Sequence, residues 1–316
     1  MPPYQDRFYT ARDGLKLYYR DYPADSANAL TILCIPGLTR NSADFDGIAQ
    51  HLAGRHRVLA ADLRGRGRSD RAAEAGSYVP VQYALDVQDL LKHASVKRAV
   101  FIGTSLGGIV TMLTAGIGRH LLAGAIINDV GPVVEADGIA RIAEYVGKAP
   151  PQPSWEDAAA AVRAANQHAF PHYNEADWLA FAKRTYVEQD GVFVPDYDPR
   201  IAEVFSKAPV GGADLWPFFD ALTGLPLLLV RGETSDILST ETLAAMVRRY
   251  PAMQVVTVPG IGHAPFLTEF EAQAAIDRFL SKIPSKISLL KRIRARIDAF
   301  RHAGRVMRAM KARQKS

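Results

Sequence analysis

Arg98-Ala-Val-Phe-Ile-Gly103-Thr104-Ser105-Leu106-Gly107-Gly108 is the stretch from which the rest of the chain can be read. Ala99 to Ile102 is a short apolar run of the kind that lies buried in a sheet. It stops at a glycine and is followed by a helix-like segment, Leu106 to Gly118. Between the two lies G-x-S-x-G, with Ser105 at its centre. The small residues on either side have a physical cause. A sharp strand-to-helix turn brings backbone against backbone, and bulky neighbours would clash there. Such a turn lifts the serine hydroxyl clear of the sheet and aims the next backbone N–H into the same space. Strand before and helix after are the context the motif requires, so Ser105 reads as a nucleophile rather than as a serine in a glycine-rich turn.

Outward from this stretch, strands and helices alternate. Arg7 to Asp21 switches between apolar and polar residues around Asp13-Gly14, a hairpin signal with strands at roughly 7–12 and 15–21. Apolar runs follow at Leu30–Ile35, Arg57–Ala61, Leu121–Asn128, Leu225–Val230 and Met253–Val258. Helix-like segments stand at Ser42–Ala53, Pro80–His93 and Thr268–Leu280. The pattern predicts an α/β fold with a mostly parallel eight-stranded sheet flanked by helices. In such sheets the site lies outside the carboxyl ends of the strands. Gly37, Ser105, Asp129, Asp236 and His263 all fall at or just past predicted strand ends.

The alternation stops near Pro132. Up to about Gly224 only helix-like segments appear: Glu135–Lys148, Trp155–Ala169, Glu175–Glu188, Pro199–Ser206 and Ala213–Leu222. This predicts a helical cap, residues 132–223, inserted into a core formed by residues 1–131 and 224–283. Residues 132–222 hold 13 aromatics in 91, including Trp155, Trp178 and Trp216, whereas the other 225 residues hold 15. Most should form the insertion's own core, and three or four should line an apolar substrate pocket.

A serine hydroxyl needs an adjacent base to attack at neutral pH. Of the eight histidines, His263 stands apart, in Pro259-Gly-Ile-Gly-His263-Ala-Pro-Phe directly after the last predicted strand. Flanking glycines let that loop turn sharply and present the imidazole. The base needs a carboxylate to fix its tautomer and stabilise the imidazolium. Asp236, in Arg231-Gly-Glu-Thr-Ser-Asp236, is the first choice. Asp129 is the rival, because an acid after the strand that follows the serine helix also has reach. Glu233 is third.

The order Ser105, Asp236, His263 is the one expected for α/β-hydrolases. With the strand-end Pro36-Gly37-Leu38 and the Asp62-Leu-Arg-Gly-Arg-Gly-Arg-Ser-Asp70 loop, the chain from about residue 7 to 283 resembles the α/β-hydrolase fold superfamily. The resemblance implies an oxyanion hole made by the backbone N–H groups of Leu38 and Leu106. Many relatives carry His-Gly where this chain has Pro36-Gly37, a departure that removes a side chain which usually braces the loop. Dehalogenases and epoxide hydrolases of the superfamily use an aspartate at the elbow, and Ser105 argues against both. Carbon–carbon bond hydrolases commonly carry tryptophan after the histidine, where Ala264 stands. The expectation is a cofactor-free serine hydrolase cleaving a carboxylic ester or lactone of a small, fairly apolar substrate. The alternatives are a carbon–carbon bond hydrolase and a non-catalytic binding protein on the same fold.

Other signals are weaker. Arg64-Gly-Arg-Gly-Arg lacks the third glycine of a dinucleotide fingerprint, since Asp70 stands there, and reads as structural support. His168 and His172 are separated by Pro171, which breaks helical register. Neither a cofactor nor a metal is expected. The single cysteine, Cys34, sits in an apolar run and excludes an internal disulfide. The N-terminus lacks the basic start and apolar core of a signal peptide, and no stretch of 18 apolar residues occurs, which predicts a cytoplasmic protein. The net charge of +5 conceals an asymmetry: residues 285–316 hold eleven Lys/Arg and one acid, Asp298. That leaves the body at 5 − 10 = −5. Leu290, Ile293, Ile297, Phe300, Met307 and Met310 fall on helical steps within this tail. The expectation is a basic amphipathic helix over 284–316. It would dock on the body, lie peripherally on an anionic membrane, or pair with a second chain. Aromatic interleaving is absent, so no nucleic-acid partner is expected. The expected ligand is a small-molecule substrate.

Overall fold

In the computed structural model, residues 3–207 and 214–284 are described. β1 (Gln5–Thr10) and β2 (Lys16–Tyr22) form the expected hairpin, and β2 pairs antiparallel with β4 (Arg57–Ala61). β3 (Thr31–Ile35) leads through a short 3₁₀ turn into α1 (Asp46–Leu52). Asn41 caps that turn, its side chain accepting from the Ala43 N–H. After β4 come α2 (Pro80–His93), β5 (Ala99–Thr104), α3 (Leu106–Gly118) and β6 (Leu122–Asn128). Pro80 opens α2 where its missing N–H costs nothing.

The chain then leaves the sheet for α4 (Ala136–Tyr145), α5 (Trp155–Asn166) and α6 (Glu175–Thr185). β7 (Tyr186–Gln189) and β8 (Val192–Pro195) follow, then α7 (Ile201–Lys207) and α8 (Trp216–Asp220). It returns as β9 (Leu227–Gly232), α9 (Thr240–Arg249), β10 (Gln254–Val258) and α10 (Phe270–Leu280).

Eight strands make one sheet in the order β1-β2-β4-β3-β5-β6-β9-β10, parallel from β4 through β10. Side-chain alternation along the strands splits the core into two layers. Leu33, Ile35, Leu59, Phe101, Ile127 and Leu229 face α2 and α3. Ile32, Cys34, Val58, Val100, Ile126 and Leu228 face α1 and α10. Each such buried aliphatic or aromatic side chain is worth about 1.5–3 kcal/mol over leaving it in water. The order also locates the site. From β3 the chain moves outward to β4, then crosses back to β5 on the other side of β3. The crevice therefore opens between the carboxyl ends of β3 and β5, where Gly37-Leu38 and Ser105 stand.

The insertion is not all-helical. The segment expected as one helix over Glu175–Glu188 ends at Thr185, and β7 and β8 form an antiparallel hairpin around Asp190-Gly191. Both turn residues take positive φ, 53° and 80°, the backbone that an Asp-Gly hairpin turn favours. That dipeptide between Val187 and Val192–Val194 is a strand signal legible in the sequence. The basic C-terminal helix expected over 284–316 lies, from residue 285 on, outside the described residues, as does Ala213. Among the described residues no helix is long and apolar enough to cross a membrane.

Candidate active site

Ser105 sits between the last residue of β5 and the first of α3 with φ 53° and ψ −116°. This left-handed backbone costs a non-glycine residue on the order of 1–3 kcal/mol. It is held by hydrogen bonds on both sides: the Ser105 N–H donates to Asn128 O (2.9 Å), and Ser105 O accepts from the Gly108 N–H (2.8 Å). Close approach requires the glycines on either side. A Cβ on Gly103 would lie 2.2 Å from Gly107 O, and one on Gly107 2.0 Å from Ile35 O.

His263, from the loop after β10, faces this hydroxyl. Its Nε2 is 2.8 Å from Ser105 Oγ and its Nδ1 is 2.8 Å from Asp129 Oδ2. Asp129 Oδ1 accepts from the Gly232 N–H at 3.0 Å, so both carboxylate oxygens are engaged. The carboxylate is fully buried and the imidazole nearly so, at 0% and 9% side-chain exposure. A carboxylate cannot donate. Nδ1 therefore carries the proton toward Asp129, and Nε2 is left to accept from the serine hydroxyl.

The carboxylate on His263 is thus Asp129 and not Asp236, the first choice from sequence. Asp129 directly follows the last residue of β6, the strand beside β5. Asp236 lies four residues beyond the end of β9, one strand further out. It is held instead by Arg141 of α4, Nε to Oδ2 at 2.6 Å and Nη2 to Oδ1 at 3.0 Å. Burial alone would raise the Asp236 carboxyl, but the Arg141 hydrogen bond and charge outweigh it and hold the group below the usual carboxylate range. Glu233 accepts from the Gly260 N–H at 2.8 Å and so fastens the histidine loop.

Asn128 is a supporting residue that the sequence reading missed. Its side-chain amide donates to Pro265 O at 2.7 Å, tying β6 to the loop that carries His263. The available signal was an amide closing an otherwise apolar strand.

The two amides expected to form an oxyanion hole lie beside this chain of hydrogen bonds. Leu106 is the first residue of α3, where a helix N–H has no intrahelical acceptor. A Cβ on Gly37, the residue before Leu38, would lie 3.8 Å from Ser105 Cβ. Where Pro36 offers no side-chain donor, the Leu38 loop is held by Arg66, whose Nε donates to Leu38 O at 2.9 Å. Arg66 also donates to Arg64 O and to the Tyr83 hydroxyl, and Arg64 forms a buried two-pronged pair with Asp86. The Arg64-Gly-Arg-Gly-Arg segment is therefore structural bracing.

A cavity of about 510 Å³ opens over Ser105 and His263, lined by core and insertion together. Five insertion aromatics line it, Tyr145, Phe170, Phe181, Tyr186 and Tyr197, against the three or four expected. Trp178 packs instead in the insertion's own core with Val162 and Phe181.

The insertion is fastened to the core near this cavity. Asn41 Nδ2 donates to Asp196 Oδ2 at 2.8 Å and to Arg184 O at 3.1 Å, and the Gly67 N–H donates to Asp196 O. Burial, with Asp62 adding to it, pushes the Asp196 carboxyl up to about 7, and the Asn41 hydrogen bond offsets this only in part. The folded state keeps the proton over a range where the unfolded chain has lost it. Stability therefore falls as pH rises from the ordinary carboxylate range to about 7, and the whole cost is present above that. Asp196→Asn should raise the melting temperature more at pH 8 than at pH 5, as read by calorimetry.

Comparison with known proteins agrees with this architecture. Residues 32–276 match the model of the alpha/beta hydrolase family. The chain belongs to the α/β hydrolase family. A 3-hydroxybutyrate-oligomer hydrolase from Cupriavidus necator is 35% identical over 270 residues, 83% of this chain and 91% of that protein. A 2-(acetamidomethylene)succinate hydrolase from Mesorhizobium japonicum is 30% identical over 232 residues, 73% and 81% of the two chains. Among solved structures, an alpha/beta hydrolase from Novosphingobium aromaticivorans superposes with a TM-score of 0.84 at 45% identity, covering 89% of this chain and 99% of its own.

Proposed function

We propose that the protein is a serine hydrolase that cleaves a carboxylic ester or lactone through an acyl-enzyme, with Ser105, His263 and Asp129 as its catalytic residues. The observation that carries this reading is the unbroken hydrogen-bond chain from Ser105 Oγ through both nitrogens of His263 to a fully buried carboxylate. Ser105 Oγ attacks the carbonyl carbon while His263 Nε2 takes its proton. The imidazolium so formed is stabilised by Asp129. Negative charge grows on the carbonyl oxygen toward the Leu38 and Leu106 amides. His263 then gives its proton to the departing alcohol; in the second half, it takes a proton from a water that attacks the acyl carbonyl, and returns that proton to Ser105 Oγ as the acid leaves.

Residues 132–223 act as a cap over this centre, and the core comprises 1–131 and 224–283. Apart from Arg40, Asp44, Glu144 and Lys148, the lining of the cavity is mostly apolar and aromatic, which suits a small substrate with a fairly apolar acyl group. The relationship to a hydrolase named for 3-hydroxybutyrate oligomers supports the ester reading.

A panel of p-nitrophenyl butanoate, a simple lactone and a vinylogous diketone tests it. Ester or lactone turnover with kcat/KM on the order of 10⁴ M⁻¹s⁻¹ is expected. Turnover of the diketone alone would replace this reading with carbon–carbon bond hydrolysis. Failure on all three, with no labelling of Ser105 by a fluorophosphonate, would leave a binding protein on the same fold.

A further inference from the structure

At one edge of the cavity two arginines meet a single carboxylate: Arg40 and Asp44 line the cavity, and Arg184 adjoins Thr185, which also lines it. Arg40 Nη2 donates to Asp44 Oδ1 at 2.5 Å. Arg184, at the end of α6 in the insertion, places its Nε 3.9 Å from the same oxygen. Two guanidinium groups thus share one carboxylate. Asp46, the next acid along the chain and the first residue of α1, is already taken by Arg20 and the Tyr22 hydroxyl.

The three side chains are largely withdrawn from water, at 18%, 14% and 29% exposure for Arg40, Asp44 and Arg184. The Nε atoms of both arginines are buried and make no hydrogen bond within the protein. Burial, only partly offset by Asp44 and reinforced by Arg40, pulls the Arg184 guanidinium below its ordinary value. A buried cation without a matching anion is costly, and a second carboxylate would relieve that cost.

Geometry adds direction to the charge. The Arg40 guanidinium carbon stands 4.2 Å from the Phe181 ring centre, and that of Arg184 4.6 Å from the Phe266 ring centre. Both rings line the cavity. An aromatic face stabilises the cation but accepts no hydrogen bond along the guanidinium edge, and that edge is the fork which grips a carboxylate. Phe266 follows His263 by three residues and Arg40 follows Leu38 by two, so the charged edge adjoins the reacting centre.

We infer that Arg40, which lines the catalytic cavity, and Arg184, packed against the lining rings Phe181 and Phe266, form a carboxylate-binding subsite at the cavity's edge, and that the substrates are esters bearing a second, free carboxylate. The inference rests on the ester-hydrolase reading. The subsite spans core and insertion, since Arg40 belongs to the one and Arg184 to the other. A purely structural role, an ion cluster fastening α6 to the core, would affect charged and neutral substrates alike.

The test compares twin substrates that differ in one charge. Mono-p-nitrophenyl glutarate is set against p-nitrophenyl pentanoate, and 3-(butanoyloxy)butanoate against its primary amide. The readout is the ratio of kcat/KM for acid over neutral twin in wild type, Arg40→Gln, Arg184→Gln and Arg40→Lys. In wild type at least one pair should favour the acid tenfold or more, chiefly through KM. Both glutamine variants should bring that ratio to within about twofold of one, and Arg40→Lys should retain part of it. Because the ratio is internal to each variant, a general loss of activity does not move it. No preference in either pair, or a preference that survives both glutamine variants, would overturn the inference while leaving the ester-hydrolase reading intact. Absence of turnover for all four substrates would instead strike the reading beneath it.

Discussion

Ser105→Ala is expected to lower kcat for p-nitrophenyl butanoate by about 10⁶-fold, the scale seen when a serine nucleophile is removed from an intact triad. The residual rate comes from what remains in place: the two amides and the cavity, which bind and polarise the ester without a covalent step. The substitution removes one oxygen from a position whose backbone is fixed by Asn128 O and the Gly108 N–H. The melting temperature should therefore stay nearly unchanged, since alanine keeps the same positive-φ backbone and its hydrogen bonds. Loss of activity with an unchanged melting curve separates a chemical role from a structural one. Retention of wild-type kcat would remove Ser105 from the mechanism.

The second large effect distinguishes two aspartates. Asp129→Asn should lower kcat by about 10⁴-fold, because an amide facing Nδ1 permits the tautomer whose Nε2 cannot accept the serine proton. Asp236→Asn should lower it by less than about tenfold, since Asp236 faces Arg141 and not the imidazole. It should cost some stability instead, by leaving Arg141 half-buried with a weaker partner. Steady-state kinetics on the two single variants decides the matter, and a larger loss in Asp236→Asn would restore it as the acid.

This pair shows where sequence reasoning stops. Ser105 and His263 were legible because each sits in a local pattern with its own physical cause, a glycine-flanked turn directly after an apolar strand. Six of the eight strands were legible because buried parallel strands are continuous apolar runs, and the first two because apolar and polar residues alternate around Asp13-Gly14. Which aspartate reaches His263 depends on strand order, and strand order is a long-range property. The sequence places Asp129 and Asp236 alike just past strand ends. Only the adjacency of β6 to β5, together with Arg141 on α4, tells them apart.

The same limit hid the bracing of Leu38 by Arg66 and the meeting of Arg40 with Arg184, residues 144 positions apart in the chain. The β7–β8 hairpin is a different case. Its Asp190-Gly191 turn was present in the sequence, but the helical periodicity running up to Thr185 was carried too far.

A covalent acyl-serine formed by the Ser105–His263–Asp129 chain is the central species of the proposed mechanism. Rapid quenching of the enzyme with p-nitrophenyl butanoate, followed by intact-mass and peptide mass spectrometry, observes that species directly. A butanoyl adduct on the peptide containing Ser105, formed at the rate of the p-nitrophenol burst and absent in Ser105→Ala, is expected. Steady ester hydrolysis without any adduct on that peptide, or with an adduct on another residue, would contradict it.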